Sequence, residues 1–201
     1  MTKAKLAVIY HSGYGHTAAQ AAAVRRGASL PGMETHLIAI GDKAMPWDLL
    51  ETMDAIVFGS PTYMGGQSAQ FKAFQEATSR TVFAAGGRWK DKLAAGFTNS
   101  AARSGDKLAT LQQLAIFAAQ HGMHWVALGL PPGNNSSTGS ENDLNRLGFF
   151  LGAAAQSDAD QGPDVVPPTA DLLTAEHLGR RVAEVALQFV RGRQVDALVP
   201  A

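Results

Sequence analysis

The chain has 201 residues, of which 46% are hydrophobic and 17% are charged. This composition predicts one substantial hydrophobic core and argues against disorder over most of the length. The 17 Lys and Arg residues balance the 17 Asp and Glu residues. That balance argues against nucleic acid as the main partner, which would need a basic surplus, and against a strongly acidic electron carrier. The sequence has no cysteine, which excludes disulfides, thiolate catalysis and cysteine-bound iron–sulfur clusters.

Three further features are not expected. No apolar run reaches the roughly 18 residues of a membrane span, so we expect no membrane partner. The chain enters a core strand directly, without a signal-peptide pattern, and we therefore expect a cytoplasmic protein. The six histidines do not cluster with carboxylates at ligand spacing, so no metal site is predicted.

Apolar runs and helical segments alternate along the first two thirds of the chain. The predicted strands are 6–10, 35–40, 55–59, 93–97 and 124–129. The predicted helices are 17–28, 47–53, 67–83, 107–120 and 174–190. Strands that are apolar throughout are typical of a parallel sheet buried on both faces. The alternation therefore predicts a doubly wound α/β fold, with five parallel strands and helices on both faces.

We expect residues 1–201 to form a single domain with one irregular insertion. Residues 131–168 interrupt the alternation with Gly, Asn, Ser, Asp and Pro. Irregular segments of this length in a compact domain are usually functional, interface-forming or mobile. The apolar residues 149–151 are a candidate for a short strand that continues the fifth.

Residues 11–17 form a polar loop between the first predicted strand and helix. A helix start carries free N–H groups and the positive end of the helix dipole, so it favours an anion. Ser12 and Thr17 add hydroxyl donors, and Gly13 and Gly15 remove side chains that would hold a phosphate away. The loop matches neither the P-loop nor the dinucleotide motif. It therefore suits a single phosphomonoester, although Ser and Thr also cap helices.

Two more polar loops follow the third and fourth predicted strands, at residues 60–66 and 98–106. In a sheet of order 2-1-3-4-5 these loops lie beside the first one, at the edge where doubly wound sheets bind ligands. Their backbone amides and small polar groups would frame a flat heterocycle, against which Tyr63 and Met64 would pack.

Four segments carry a resemblance to a known family. They are Tyr10-His11-Ser12-Gly13-Tyr14-Gly15-His16-Thr17, Gly59-Ser60-Pro61-Thr62-Tyr63-Met64-Gly65, Phe97-Thr98-Asn99-Ser100 with Gly105, and His121-Gly122-Met123. Over most of residues 3–130 the chain resembles the flavodoxin-like FMN-binding proteins of the tryptophan-repressor-binding-protein type, which are NAD(P)H:quinone oxidoreductases. The resemblance implies a flavodoxin-like three-layer sandwich with FMN as cofactor and NAD(P)H as co-substrate.

The resemblance also implies the residues of the site. It places the phosphate on 12–17, the isoalloxazine against 61–66 and further contacts at 98–106. The implied cofactor-binding residues are Ser12, Gly13, Tyr14, Gly15, His16, Thr17, Pro61, Thr62, Tyr63, Met64, Gly65, Thr98, Asn99, Ser100, Arg103, Gly105 and Asp106. Tyr14 and His121 are implied as catalytic residues beside the flavin face where nicotinamide and quinone alternate. A homodimer or homotetramer is implied as well.

The chain departs from the family pattern in four places, one of which is residues 131–166, where it shows little likeness to the family's segment. Tyr63 and Met64 stand where the family usually has Arg and then Phe. The third loop has less glycine and contains Arg103 and Asp106, and the family's long insertion after the second strand is missing. Because of these departures, the resemblance does not determine the electron acceptor, the nicotinamide preference or the tetrameric assembly.

Two residues keep alternative interpretations. His121 precedes a glycine at a predicted helix end, where a histidine is favoured as a capping residue. By resemblance it would bind a quinone or donate a proton, and its titration near neutral pH suits that role. Arg103 would meet a phosphate of NADPH or be a solvated loop residue.

We expect an FMN-dependent enzyme that transfers hydride from NAD(P)H to a quinone-like acceptor by a ping-pong, two-electron mechanism. Three alternatives stay open at this point. They are a flavodoxin-like electron carrier without its own substrate, a binding protein that has lost cofactor affinity, and an NAD(P)H-dependent reductase of flavin, azo or nitro compounds.

Overall fold

The computed structural model describes residues 3–41 and 43–196. Its strands are β1 (Ala4–Tyr10), β2 (Met33–Ala39), β3 (Ala55–Tyr63), β4 (Gly66–Gln67), β5 (Leu93–Ser100), β6 (His124–Trp125) and β7 (Ala153–Gln156). Its α-helices are α1 (His16–Ala28), α2 (Trp47–Glu51), α3 (Ala69–Thr78), α4 (Lys107–Gln120) and α5 (Thr169–Asp196). A π-helical turn, Ser79–Phe83, follows α3. None of these helices is long and apolar enough to cross a bilayer.

The main sheet has the order β2-β1-β3-β5-β6, and all its neighbouring strands are parallel. This order confirms the predicted flavodoxin-like sheet, in which the fourth and fifth predicted strands correspond to β5 and β6. The register aligns Tyr10 with Gly59 and Gly59 with Phe97. The carboxyl ends of β1, β3 and β5 therefore lie side by side, and the three polar loops leave the sheet together.

The far edge of the sheet differs from the prediction. The fifth strand is only two residues long, because the chain turns away after Val126, whose N–H is the last to bond β5 there. The place beside the carboxyl half of β5 is taken by β7, which pairs Phe97 with Ala153. A strand was expected at 149–151, but it begins at Ala153 instead, after Gly152 passes close to the Gly96 carbonyl. A segment of the predicted insertion thus belongs to the sheet.

Alternate side chains of the buried strands enter two separate cores, which confirms the three-layer arrangement. Leu6 and Val8 of β1 pack on the face covered by α1 and α5. Ala7 and Ile9 pack on the opposite face, against α3, α4 and an aromatic cluster around Phe58. Both faces of these strands are therefore buried, which is why their sequences are continuous apolar runs.

Helices α1 and α5 approach each other closely through two glycines. A Cβ on Gly27 would lie 1.8 Å from the Glu176 carbonyl oxygen, and one on Gly179 would lie 1.9 Å from that of Val24. In each case the clashing atom belongs to the backbone of the other helix. A side chain at either glycine would therefore force the two helices apart. The predicted last helix, 174–190, is longer in the structure and begins at Thr169.

We expect Gly27→Ala to destabilise the protein by about 1–3 kcal/mol, the usual cost of overpacking. In an exposed helix the same change would stabilise by up to about 1 kcal/mol. Gly192→Ala supplies that comparison, because nothing lies within 4 Å of the Cβ it would add to α5. Urea unfolding of the two variants measures the difference, and an equal effect at both sites would contradict close packing at Gly27.

Candidate functional site

A cleft of about 570 Å³ opens at the carboxyl ends of β1, β3 and β5. It is lined by the three polar loops and by a fourth segment that follows β7. The lining residues are Ser12, Tyr14, His16, Thr17, Pro61, Thr62, Tyr63, Met64, Asn99, Ser100, Ala101, Ser157 and Ala159. The structure therefore brings together most of the residues expected to bind the cofactor. None of these lining side chains is a lysine or an arginine.

The first loop presents unpaired backbone donors to the cleft. The Ser12 hydroxyl oxygen accepts hydrogen bonds from the N–H groups of Gly15, at 3.0 Å, and Ala18, at 3.2 Å. The N–H groups of His16 and Thr17, at the start of α1, have no acceptor within the described part of the chain. Ser12 thus has the capping role that was its alternative interpretation, while its own hydroxyl hydrogen is left to donate to an anion.

Tyr63 lies across the first loop. A Cβ on Gly13 would lie 2.6 Å from the Tyr63 hydroxyl oxygen, so only glycine permits this approach. Burial raises the pKa of the Tyr63 phenol, with Tyr14 adding to the rise and the Gly13 backbone N–H opposing it. The Tyr14 ring meets the Tyr63 ring edge-on at 6.2 Å and is 76% exposed. Two tyrosines therefore form the mouth of the cleft.

A buried chain of threonine hydroxyls fixes the second loop against the third. The Thr62 hydroxyl lies 2.8 Å from those of Thr98 and Thr110. Thr98 is fully buried, is not among the residues that line the cleft, and contacts Thr62 through its hydroxyl, so its contact with the cofactor stays a prediction. Asn99, one residue later, does line the cleft and donates to the Ser157 hydroxyl at 2.8 Å.

The chain matches the family model described as NADPH-dependent FMN reductase over residues 5–131. It belongs to this family. It is 42% identical to "Flavodoxin FldP" of Pseudomonas aeruginosa, with 92% of this chain and 98% of that protein covered. It is 33% identical to an "NAD(P)H dehydrogenase (quinone)" of Archaeoglobus fulgidus, covering 91% and 97%. Among solved structures, a flavodoxin, WrbA-like protein from Agrobacterium tumefaciens is 41% identical, with a TM-score of 0.72 and coverage of 92% and 99%.

The family match confirms the predicted resemblance: the chain is a flavodoxin-like FMN protein of the oxidoreductase class. The cleft fits the phosphate end of FMN on its own geometry. Unpaired N–H groups at the start of α1 and the hydroxyls of Ser12 and Thr17 together form a cradle for a phosphate. A flavin ring would then lie toward the second and third loops, beside Tyr63 and Asn99.

The segment after β7 contributes a fourth wall to the cleft; the sequence indicated the irregular region 131–168 but singled out none of its residues. Ser157 and Ala159 line the cleft, and Ala101 was missed in the third loop. The same segment also covers the first loop from outside. The His16 ring donates through Nε2 to the Gln161 carbonyl at 2.9 Å, and Gly15 packs against Pro163 with no room for a Cβ.

A buried ion pair holds β7 and its following residues in place. The Arg146 guanidinium binds both carboxylate oxygens of Asp171, at 2.8 and 2.9 Å, and both side chains are almost fully buried. One of these oxygens also accepts the Gln156 N–H at 2.9 Å. Since a buried carboxylate needs such partners, Asp171 fixes the end of β7 one residue before Ser157.

A buried lysine, Lys107, fixes the third loop by hydrogen bonds to its backbone. Lys107 is inaccessible to solvent, and its ammonium donates to the carbonyls of Ala102, at 2.5 Å, and Arg103, at 2.8 Å. Burial lowers the pKa of Lys107 to about 8, against an opposing attraction to Asp171. The loop thus turns two carbonyls inward, away from the cleft.

Several predicted site residues shape the loops without lining the cleft. Gly105 packs where a Cβ would meet the Ser100 hydroxyl, and Asp106 has a left-handed backbone just before α4. Arg103 pairs with Glu141 on the surface, and its contact with an NADPH phosphate stays a prediction. Gly65 lies at the turn between β3 and β4, with a positive φ of 86°.

His121 contacts residues that do not line the cleft. It is 6% exposed, its Nε2 lies 2.9 Å from the Thr78 hydroxyl, and its ring meets Trp89 and Phe117 at 5.1 and 4.9 Å. Burial lowers the pKa of His121, which favours the neutral ring. Within one chain the structure therefore separates His121 from Tyr14, and a catalytic role for His121 stays a prediction that requires a second subunit.

Ser12→Ala separates the capping role from the phosphate role. We expect FMN to bind at least tenfold more weakly, because one hydroxyl donor to a dianion is lost, whereas riboflavin should bind with nearly unchanged affinity. Fluorescence titration of the apoprotein measures both constants. An equal loss for FMN and riboflavin would mean that Ser12 only caps α1.

Lys107→Met should weaken FMN binding, since the third loop loses two hydrogen bonds.

Lys107→Met should also change how the free energy of unfolding depends on pH. The lowered pKa means that the folded state of the native chain binds fewer protons than the unfolded state between pH 8 and about 10.5. The native chain should therefore gain stability as the pH rises from about 8, and the variant should lose this rise. Lys72→Met, at a surface lysine of α3, is the control, and identical pH profiles for the two variants would contradict the burial of a charged Lys107.

Proposed function

We propose that the protein oxidises NAD(P)H and passes two electrons to a quinone-like acceptor, with FMN bound in the cleft. FMN bound there would supply the redox chemistry, by taking two electrons as a hydride from the nicotinamide and passing them to the acceptor, which also takes up a proton from solvent. The observation that carries the proposal is the phosphate cradle of the first loop, at the edge of the sheet where the second and third loops also end. The names of the quinone-reducing relatives support the choice of acceptor.

The residues of this chain supply binding, orientation and access. The first loop holds the phosphate through backbone N–H groups and the hydroxyls of Ser12 and Thr17. Thr62 and Asn99 belong to buried hydrogen-bonded pairs, so the walls beside the ring are preorganised. Tyr14 and Tyr63 leave one side of the cleft open, and a flat donor or acceptor would stack there in turn. Alternate use of one open face is the physical basis of the ping-pong order.

The assay follows NADPH and NADH oxidation by the FMN-loaded protein with 1,4-benzoquinone. We expect turnover that requires FMN, with parallel lines in double-reciprocal plots at several quinone concentrations. Intersecting lines would contradict alternation at one face. No oxidation of either nicotinamide by fully loaded protein would contradict the enzymatic proposal itself. Replacing the quinone by azo and nitro compounds tests the other reductase assignment.

A second candidate is an electron carrier without its own substrate. It is favoured by the 42% identity to a protein named as a flavodoxin. The zero formal net charge argues against it, because small carriers that dock on basic partners are usually acidic. Inert behaviour toward NADPH, combined with rapid one-electron exchange with a reduced partner protein, would favour this candidate.

We further propose a cytoplasmic homodimer or homotetramer. The support is the resemblance of the sequence motifs to a family whose members complete the pocket with a second subunit. Sedimentation equilibrium of the FMN-loaded protein tests the assembly, and cell fractionation tests the location. A monomer at all concentrations would leave His121 without a route to the flavin.

A further inference from the structure

The segment after β7 runs from the wall of the cleft to the first loop, and both of its ends are fixed. We call residues 157–163 the strap. At one end, the Ser157 N–H donates to the Ser100 carbonyl at 3.2 Å. Beyond the other end, the Val166 side chain is buried. The strap is therefore a short segment between two fixed points of the fold.

Two hydrogen bonds attach the strap to different walls of the cleft. The Asn99 side-chain amide donates to the Ser157 hydroxyl at 2.8 Å, which connects the strap to the third loop. The His16 Nε2 atom lies 2.9 Å from the Gln161 carbonyl oxygen, which connects the strap to the start of α1. Because a carbonyl oxygen can only accept, Nε2 of His16 carries the proton of this bond. The strap therefore bridges the first and third loops.

The strap also packs directly on the turn that precedes α1. A Cβ on Gly15 would lie 2.7 Å from Cγ of Pro163, so the two residues are in contact and leave no space for a side chain at Gly15. Gly15 also has a positive φ of 90°, a conformation that strains other residues. The strap thus lies against the backbone next to the unpaired N–H groups of His16 and Thr17.

Few other contacts hold the middle of the strap, which is largely exposed to solvent. Among the described residues, His16 is the only hydrogen-bond partner of residues 158–163 that lies outside residues 156–166. The carboxylates of Asp158 and Asp160 repel an anion, although their exposure to solvent screens this repulsion. Because segments with so few contacts open locally at small cost, the His16 bond has a large influence on whether the strap is closed.

We propose that His16 is a positioning residue that fastens the strap beside the phosphate and so slows the release of FMN. This role rests on the phosphate cradle of the first loop, on which the proposed function also depends. The backbone N–H of His16 is one of the two unpaired donors of the cradle, while its ring donates to the strap. One residue therefore joins the anion-binding turn to the segment that covers it. A closed strap also keeps water from the phosphate, and hydrogen bonds are stronger where water is excluded.

Two substitutions of His16 separate its hydrogen bond from its size. His16→Leu removes the donor, whereas His16→Gln keeps an N–H donor on a side chain of similar reach. We expect His16→Leu to release FMN roughly fivefold to tenfold faster, as for the loss of one hydrogen bond, and His16→Gln to stay within about twofold of the native rate. His36→Leu is the control, because His36 bonds Glu34 within β2 and neither residue lines the cleft. The rate is measured from flavin fluorescence after dilution of the FMN-loaded protein.

Hydrogen exchange of the backbone amides tests the strap directly. In the native protein we expect FMN to slow exchange at residues 13–17 and at residues 158–162. In His16→Leu, FMN should still protect residues 13–17 but should protect residues 158–162 much less. Because exchange reports local opening, a change confined to the strap distinguishes the lost bond from a general loss of stability. If a variant does not fold, exchange in the native protein with and without FMN still decides whether the strap closes.

Three results would contradict the role of His16 alone. The first is release of FMN from His16→Leu at the native rate. The second is equally fast release from His16→Leu and His16→Gln, which would mean that the ring acts through packing and not through its hydrogen bond. The third is protection of residues 13–17 by FMN without protection of residues 158–162, in which case the cradle stands and the strap does not close on it. If FMN protects neither segment, the phosphate cradle and the role of His16 both fail.

Discussion

The first turn of α1 offers N–H and hydroxyl donors to an anion without any cationic side chain, and the rest of the cleft is arranged around these donors. A phosphate dianion in this position is stabilised by N–H groups and by the positive end of the helix dipole. Ser12 aligns the loop by accepting from Gly15 and Ala18, and Gly13 brings the backbone into contact with Tyr63. A lysine would add attraction but would also bind other anions. Fixed backbone donors instead select a group of the right size.

This cradle depends on contacts from residues far away in the chain. The parallel register of β1, β3 and β5 places the three loops together, and the Arg146–Asp171 pair fixes the segment that forms the fourth wall. Breaking a buried pair by removing one partner typically costs about 3–5 kcal/mol, because a charge is left uncompensated. The insertion is thus part of the site rather than an appendage. The α1–α5 contact through Gly27 and Gly179 holds in place the helix whose first turn forms the cradle.

The sequence predicted the sheet order and most of the cleft because both depend on local patterns. Apolar runs identify buried strands, and polar loops at strand ends identify the ligand edge. The short β6 and the start of β7 at Ala153 were not predictable in this way, since they depend on Gly152 approaching Gly96 across the sheet. Ser157 and Ala159 were missed for the same reason. The burial of Lys107 gave no signal either, because a lysine at a helix start normally lies in solvent.

The most direct test of the phosphate cradle is the amide chemical shift of residues 13–17 when flavins bind to the apoprotein. FMN and riboflavin share the ring system and differ by the phosphate, so their difference isolates the cradle. We predict that FMN moves the amide protons of His16 and Thr17 downfield, as hydrogen bonds to the phosphate form, and that riboflavin does not. Identical shifts with both flavins, or no shift with FMN, would contradict the account.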